Sequence, residues 1–265
     1  MSFITQTHDV VQEIQVNGTY KGRTAYAFSI LGKRDDTFSE AKGPLYDIGE
    51  YLGSTDEIFN DPSAGVVMTI KSSDANDTNS SGTGMRKVKY VFLDSSNNLQ
   101  TETVNMNGTT AVSLNGGVAI KYIEVMEGNE VGSTMHAVGN ITIQNTAETI
   151  IYDQITANGN RSLSCRFKVP NGYTGYVRGW TGTCANQRMD IRLRAQSEML
   201  GSAVTPCHHF LDIMYIQKDT SFVQPNLPWI KVLATGEIKS SVIPDVTTSV
   251  PSVTSTIQVV IIANS

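Results

Sequence analysis

The sequence predicts an all-β protein, built as two antiparallel β-sandwich or jelly-roll-like domains. Two observations carry this prediction. Segments of four to eight residues rich in β-branched and aromatic side chains recur along the 265-residue chain, and Gly/Asn/Asp/Ser clusters separate them, which is the pattern of sandwiches and barrels. Helical signals are scarce, and 40% hydrophobic with 17% charged residues is typical of a folded chain with a core.

The clearest element of the first half is a β-hairpin. In "RKVKYVFLD" the residues Val88, Tyr90 and Phe92 alternate with their neighbours, as in a half-buried strand. "TETVNMNG" alternates again and ends in the turn dipeptide Asn107-Gly108. The short polar loop "DSSNNLQ" joins them, so we predict a hairpin over Arg86–Met106. Further strands of this half are predicted at Glu13–Val16, Thr24–Ile30, Gly65–Ser72, Val118–Val125 and Gly139–Ile143.

A polar "QNTAE" after Ile143 predicts a junction between an N-terminal domain, 1–146, and a C-terminal domain, 147–265, each of ordinary size. In the second half, "KVPNGY" places Pro170 at a strand end and Asn171-Gly172 in a turn. Strands are predicted there at Thr149–Tyr152, Ser162–Val169, Gly175–Gly182, Met189–Ala195, His209–Ile216, Trp229–Thr235 and Thr254–Ile262.

Charge and composition limit the classes of partner to be expected. The formal net charge of −5 and the lack of a basic run give no reason to expect binding to nucleic acid or to an anionic membrane. The longest apolar stretch, "VVIIA", is too short to span a bilayer, and the N-terminal residues do not have the pattern of a secretory signal. Three cysteines, Cys165, Cys184 and Cys207, predict buried thiols in a reducing compartment rather than a disulfide scaffold.

The polar run "SSDANDTNSSGTGMRK" raises the question of an ion or phosphate site. Asp74, Asn76 and Thr78 occupy alternate positions as in an EF-hand loop, but the sixth position lacks Gly, the twelfth lacks Glu, and no helices flank it. The spacing of a phosphate loop is absent. We favour a structural loop in which side chains satisfy turn backbone and glycines supply positive φ. Whether Asp74, Asn76 and Asp77 hold a cation stays open at this stage.

Other candidate chemistry is weaker still. Cys207-His208-His209, with Cys184 upstream, suggests zinc, but adjacent histidines in a strand point to opposite faces. The four histidines stand in no nucleophile context, and the acidic pairs Asp35-Asp36 and Asp56-Glu57 lie in polar loops. We therefore predict no enzyme, no catalytic residue, no metal and no cofactor.

An aromatic group in "GYTGYVRGW" is the one candidate binding set. Tyr173, Tyr176, Arg178 and Trp180 are predicted as an interface or a glycan-stacking surface. If the strand is regular, Tyr176, Arg178 and Trp180 lie on one face. Packing in the core or between subunits is the favoured interpretation, and sugar stacking is the alternative.

Two long segments resemble a known class. "SSDANDTNSSGTGMRKVKYVFLDSSNNLQTETVNMNGTTAV" is similar to a pattern recurrent in virion structural proteins of tailed bacteriophages, especially those of marine and cyanobacterial hosts. The later "YDQITANGNRSLSCRFKVPNGYTGYVRGWTG", "MDIRLRAQ" and the apolar end "STIQVVIIANS" resemble the second half of such proteins. The matching segments are turn and strand signatures and carry no catalytic residue.

The resemblance implies a non-enzymatic, self-associating β protein on the virion exterior, made in the host cytoplasm. It implies a homo-oligomer, a trimer or a ring, that contacts other proteins of the capsid or tail. Capsid decoration and tail or fibre attachment stay open. A module that binds a host glycan or receptor is the alternative, and a polysaccharide-degrading enzyme is a third hypothesis that would need a carboxylate pair in a cleft.

Overall fold

The computed structural model describes residues 18–35, 45–49, 59, 62, 64–196, 209–224, 230–245 and 252–265. Within these ranges the regular structure is antiparallel β, with one 3₁₀ turn at Asn115–Gly117 and no α-helix. The all-β prediction is confirmed at this level, as several small antiparallel sheets. The strands are β1 Thr19–Tyr20, β2 Arg23–Arg34, β3 Tyr46–Asp47, β4 Met68–Ser72, β5 Met85–Asp94, β6 Leu99–Asn105, β7 Val112–Ser113, β8 Ile120–Val131, β9 Ile141–Asn145, β10 Ile151–Ile155, β11 Arg166–Lys168, β12 Tyr173–Ala185, β13 Met189–Ala195, β14 His209–Ile216, β15 Thr220–Gln224, β16 Ile230–Val232, β17 Glu237–Pro244 and β18 Ser252–Ala263.

The hairpin predicted over Arg86–Met106 is confirmed as β5 and β6, which pair antiparallel from Lys87↔Asn105 to Leu93↔Leu99. Its turn is built on Asp94, whose carboxylate accepts the backbone N–H groups of Ser96 and Asn98 at 2.8 and 2.9 Å. Two further predicted strands, β13 and β14, have the observed bounds. The predicted strand Glu13–Val16 lies outside the described residues.

Contacts divide the chain into two compact units. The central unit comprises the described residues of Gly32–Asp36 and Gly43–Ser164, and the terminal unit comprises those of Met1–Leu31 and Cys165–Ser265. The terminal unit thus joins both ends of the chain, because β2 lies beside β18 in one sheet. The division into domains at 1–146 and 147–265 stays a prediction.

In the central unit, two sheets share one core. One sheet has the strand order β10-β9-β4-β7 and the other has β6-β5-β8. Alternate residues of both sheets turn inward and are fully buried, and burial of such side chains is the main stabilising term. The core comprises Met68, Ile70, Met85, Val88, Tyr90, Phe92, Val104, Met106, Leu114, Ile120, Ile123, Met126, Ala137, Ile141, Ile143, Tyr152 and Ile155.

Tyr90 is the polar member of this core, and its hydroxyl is satisfied. The hydroxyl donates to Glu102 Oε2 at 2.6 Å and accepts the Asn115 N–H at 2.9 Å. Its ring stacks on Phe92 with centroids 5.2 Å apart. Burial, reinforced by the bond to Glu102, raises the pKa of Tyr90 well above its ordinary value.

The terminal unit contains one sheet in the order β1-β2-β18-β12-β15, with β16 also paired to β12. A second sheet has the order β11-β17-β13-β14. The inner side of β18 is formed by Val253, Ser255, Ile257, Val259 and Ile261, all at most 1% exposed. No helix of the described residues is long and apolar enough to cross a membrane.

The satisfied hydroxyl of Tyr90 predicts a specific loss of stability in alkali. In the unfolded chain a tyrosine ionises near pH 10, whereas the folded chain holds Tyr90 neutral. The contribution of Tyr90 to the free energy of unfolding is therefore complete below pH 10 and is lost as the pH rises above it. Tyr90→Phe should be less stable than wild type at pH 8, and that difference should shrink between pH 9 and pH 11 in urea unfolding.

The matched control is Val104→Ala, which removes core volume without a titrating group. Its deficit relative to wild type should stay constant over the same pH range. A Tyr90→Phe deficit that is also constant would show that Tyr90 does not carry this pH dependence.

Candidate functional site

The polar run singled out in the sequence forms a loop, Ser73–Gly84, between β4 of one central sheet and β5 of the other. It is centred on Asp77, which is fully buried. The Asp77 N–H donates to the Asp74 carbonyl at 3.4 Å, and the Asp77 carbonyl accepts the Gly108 N–H at 2.8 Å. The loop is therefore folded against the chain that follows β6.

The Asp77 carboxylate accepts four hydrogen bonds, two on each oxygen. Oδ1 accepts the N–H groups of Met85 at 2.7 Å and Val138 at 3.0 Å. Oδ2 accepts the Ser72 hydroxyl at 2.6 Å and the Gly139 N–H at 2.8 Å. The donors belong to the end of β4, the start of β5 and the segment that leads into β9. One side chain thus fixes three strand ends of both sheets, with the charge-assisted bonds that a buried carboxylate requires.

The glycines of this loop serve close packing, which differs from the expectation. Neither Gly82 nor Gly84 has a positive φ. A Cβ on Gly84 would lie 2.1 Å from Asp77 Oδ1, and one on Gly82 would lie 2.2 Å from the Asn76 carbonyl oxygen. The prediction that these glycines supply positive φ is therefore wrong, because the backbone must approach the buried carboxylate and its own turn.

Two of the three candidate cation ligands, Asp74 and Asp77, already accept hydrogen bonds from protein donors. Asp74 Oδ1 accepts the Asn76 N–H at 2.8 Å, and both oxygens of Asp77 accept protein donors. A cation at Asp77 would have to displace these donors. In the part of the chain that the structure describes, no cluster of three or more His, Cys, Asp or Glu side chains could hold a metal.

The residues considered for a zinc site are only partly described by the structure. Cys207 and His208 lie outside the described residues, and only the backbone of His209 is described. Cys184 is buried and its thiol donates to the Gln217 carbonyl at 3.0 Å, and burial raises its pKa. Cys165 is also buried, 3.4 Å from the Ser255 carbonyl oxygen. Of the acidic pairs, Asp36, Asp56 and Glu57 lie outside the described residues.

The predicted aromatic set does not share one face of β12. The pairing of β12 with β18 shifts between Val177↔Val259 and Gly179↔Gln258, which marks a bulge at Arg178. The bulge inserts one residue into the alternation, so Trp180 lies on the side of the sheet opposite to Tyr176. The strand is not regular at Arg178, so the condition under which Tyr176, Arg178 and Trp180 would share one face is not met.

The two tyrosines separate as well. Tyr173 lies near Tyr26, with ring centroids 6.1 Å apart, and burial raises the pKa of Tyr173. Tyr176 packs against the small cluster of Ala25, Val260 and Ile262. Both tyrosines are half-buried, so a role for either in an interface or in glycan stacking stays a prediction.

Trp180 and Arg178 are interior residues. Trp180 is fully buried, its indole N–H donates to Ser255 Oγ at 3.0 Å, and its ring meets Phe222 edge-on at 4.6 Å. Ser255 Oγ in turn lies 2.8 Å from Ser240 Oγ on the second sheet of the terminal unit. Trp180 therefore joins the two sheets and cannot stack on a sugar at the surface. Burial lowers the pKa of Arg178.

The opposite side of this sheet carries a feature that the sequence analysis missed. In the register, Thr181 pairs with Thr256 and with Val223, and Thr183 pairs with Thr254 and with Ser221. Directly paired residues project to the same side, away from Trp180. The Thr183 and Thr254 hydroxyls are 2.7 Å apart. We call this surface the threonine face: Thr181, Thr183, Ser221, Val223, Thr254 and Thr256.

The threonine face is open to solvent and uncharged. Val223 is 67% exposed, Thr183 and Ser221 are exposed, and the other members are half-buried. A recognisable signal was present in the alternating "TGT" of β12 and "TST" of β18. Only the register of three strands, however, brings those short runs side by side.

The four bonds of Asp77 predict a strong effect of an isosteric change. In Asp77→Asn an amide NH₂ replaces one oxygen and faces protein donors, which should lower the free energy of unfolding by about 2–4 kcal/mol. Urea unfolding of the full chain measures this loss.

Asp94→Asn is the matched control, because Asp94 accepts similar turn bonds in the exposed hairpin loop. Its cost should be below about 1 kcal/mol, since water replaces the lost acceptor. Equal costs at the two positions would contradict the central role of Asp77.

Comparison with known proteins identifies no family. No protein-family profile matches the chain, and no curated protein matches it. Among solved structures, one match is "Structure of infectious bursal disease virus Gt strain", with 9% identity and a TM-score of 0.15 over 96% of this chain and 80% of that chain. A likeness of this size indicates neither a shared fold nor a shared function.

Proposed function

We propose that this chain is a non-enzymatic structural protein of a bacteriophage virion, which self-associates on the exterior of the particle as capsid decoration or in the tail and its fibre attachments. The threonine face is the observation that carries the self-association. The phage class itself rests on the resemblance of the two long sequence segments described above.

The threonine face suits contact with a second copy because it has no charge. Surfaces that stay free of partners usually carry interspersed Lys, Arg, Asp and Glu side chains. Strands β15 and β18 contain no charged residue, and β12 contains only the buried Arg178. A charge lies further along the same side of the sheet, where the exposed Lys231 of β16 pairs with Tyr176. Within the threonine face itself a second copy would meet no like charge, and each hydroxyl both donates and accepts hydrogen bonds. The same surface can therefore contact itself across a two-fold axis, and other edges can close a trimer or a ring.

The polar chemistry of the central unit also favours a structural role. Its most conspicuous carboxylate, Asp77, is committed to four internal donors. A catalytic carboxylate would need to reach a substrate. We further propose that the small sheets form two antiparallel sandwich-like or jelly-roll-like domains, as in a virion building block. Partners would be copies of this chain and neighbouring capsid or tail proteins.

A host-glycan or receptor-binding module is the second candidate. The aromatic set predicted for it is divided between two sides of a sheet, so Tyr173 and Tyr176 would have to act separately.

A charge placed on the threonine face should disrupt self-association. Thr183→Arg puts like charges opposite each other in a face-to-face contact, so the dissociation constant of the oligomer should rise at least about tenfold. All measurements use one fixed salt concentration, because salt screens the repulsion. Sedimentation velocity over a concentration series measures the change.

Thr101→Arg is the matched control, because Thr101 is an exposed threonine on the edge strand β6 of the central unit. It should sediment as wild type does. If Thr183→Arg also sediments as wild type does, the threonine face is not the interface.

The virion assignment is tested on particles. Quantitative mass spectrometry of purified virions from an infected host should find the chain at a fixed copy number. Hundreds of copies would indicate capsid decoration, and small multiples of three or six would indicate the tail. Absence from intact particles would overturn the proposal.

A further inference from the structure

A cleft of about 330 Å³ opens on the second sheet of the terminal unit, where β13, β14 and the end of β17 meet. Its polar wall is formed by Asp190, Arg192 and Asp245, and its apolar wall includes Tyr215 and Ile243. In the register, Asp190 pairs with Tyr215 on one side and with Ile243 on the other. The aromatic ring, the carboxylate and the aliphatic side chain therefore form one row across three strands.

The charged groups of the cleft are held in place. Arg192 Nη2 lies 3.3 Å from Asp190 Oδ2, two residues along the same strand. Asp245 accepts a hydrogen bond from Arg188 Nη2 at 2.9 Å. Asp190 and Arg192 are half-buried, so their orientation is fixed while their outer edges still face the cleft. Such positioned polar groups set the orientation of a small ligand.

Tyr215 supplies a flat apolar surface beside them. It is 54% exposed, although it belongs to a regular strand. The face of an aromatic ring carries partial negative charge, which suits the polarised C–H groups on one face of a pyranose. Carboxylate and guanidinium groups beside the ring can accept from and donate to adjacent sugar hydroxyls. The cleft thus combines the two contacts that a saccharide requires.

The charges select the kind of saccharide. Each of the two carboxylates of the cleft is paired with a guanidinium, Asp190 with Arg192 and Asp245 with Arg188, so the described lining residues offer an anionic ligand no uncompensated positive charge. The volume lies near the lower limit of small-molecule sites. We infer that the Tyr215 cleft binds a neutral mono- or disaccharide, with the sugar ring stacked on Tyr215 and its hydroxyls on Asp190 and Arg192.

This site is independent of the proposed self-association, because it lies on the other sheet of the terminal unit from the threonine face. The self-association variant Thr183→Arg should therefore bind sugar as the wild-type chain does.

The test uses the full chain and saturation-transfer NMR with D-glucose, D-galactose, D-mannose and N-acetylglucosamine, each titrated separately. N-acetylneuraminic acid is the anionic comparison. At least one neutral sugar should bind, and more tightly than the acid. Tyr215→Ala should weaken that sugar about tenfold, and Asp190→Asn should weaken it as well, while Tyr215→Phe should retain it.

Tyr26→Ala is the matched control, because Tyr26 is a comparably exposed tyrosine, 41%, outside the cleft. It should leave the titration unchanged, and thermal melting should show that each variant folds. The inference is overturned if no neutral sugar binds, if Tyr215→Ala binds as tightly as wild type, if the acid binds more tightly, or if Tyr26→Ala rather than Tyr215→Ala removes the binding.

Discussion

The buried carboxylate of Asp77 is the interaction on which the central unit depends. Two small sheets share a core there. Asp77 connects the ends of their strands by accepting hydrogen bonds from donors in β4, in β5 and in the segment that leads into β9. Burying a carboxylate costs free energy unless its oxygens accept hydrogen bonds. The loop is therefore stable in the conformation that brings these donors to Asp77. The close approaches at Gly82 and Gly84 follow from that arrangement.

Strands with one buried and one open face were predictable from the sequence. The Arg86–Met106 hairpin and the bounds of β13 follow from period-two alternation. Strand β17, "EIKSSVIP", was missed because its Lys239, Ser240 and Ser241 are polar, yet all are buried. It lies between β11 and β13, and its serines bond to Ser255 and Arg194. Alternation cannot identify a strand whose polar side chains are satisfied by neighbours that are distant in sequence.

Strand β12 shows a second limit of prediction from period-two alternation. One inserted residue at Arg178 transfers Trp180 from the expected face to the interior. A local signal existed, because an isolated glycine such as Gly179 within a strand pattern often marks a bulge. The cleft at Tyr215 could not be predicted in the same way. Its polar wall and its aromatic ring come from three strands that are far apart in the sequence. The pairing register that brings them together can be seen only in the structure.

The two surfaces of the terminal unit have chemistries that suit different partners. The residues of the threonine face are uncharged and rich in hydroxyl groups, whereas the Tyr215 cleft is concave and charged. Association through the first would leave the second open, because they belong to different sheets.

A single shallow saccharide site binds weakly, since few contacts must offset the lost freedom of the ligand. Several copies held together by their threonine faces would present several clefts to one glycan-coated surface, and multivalency would then multiply the affinity without any new contact. Self-association and sugar binding are therefore two functions that one assembly could combine.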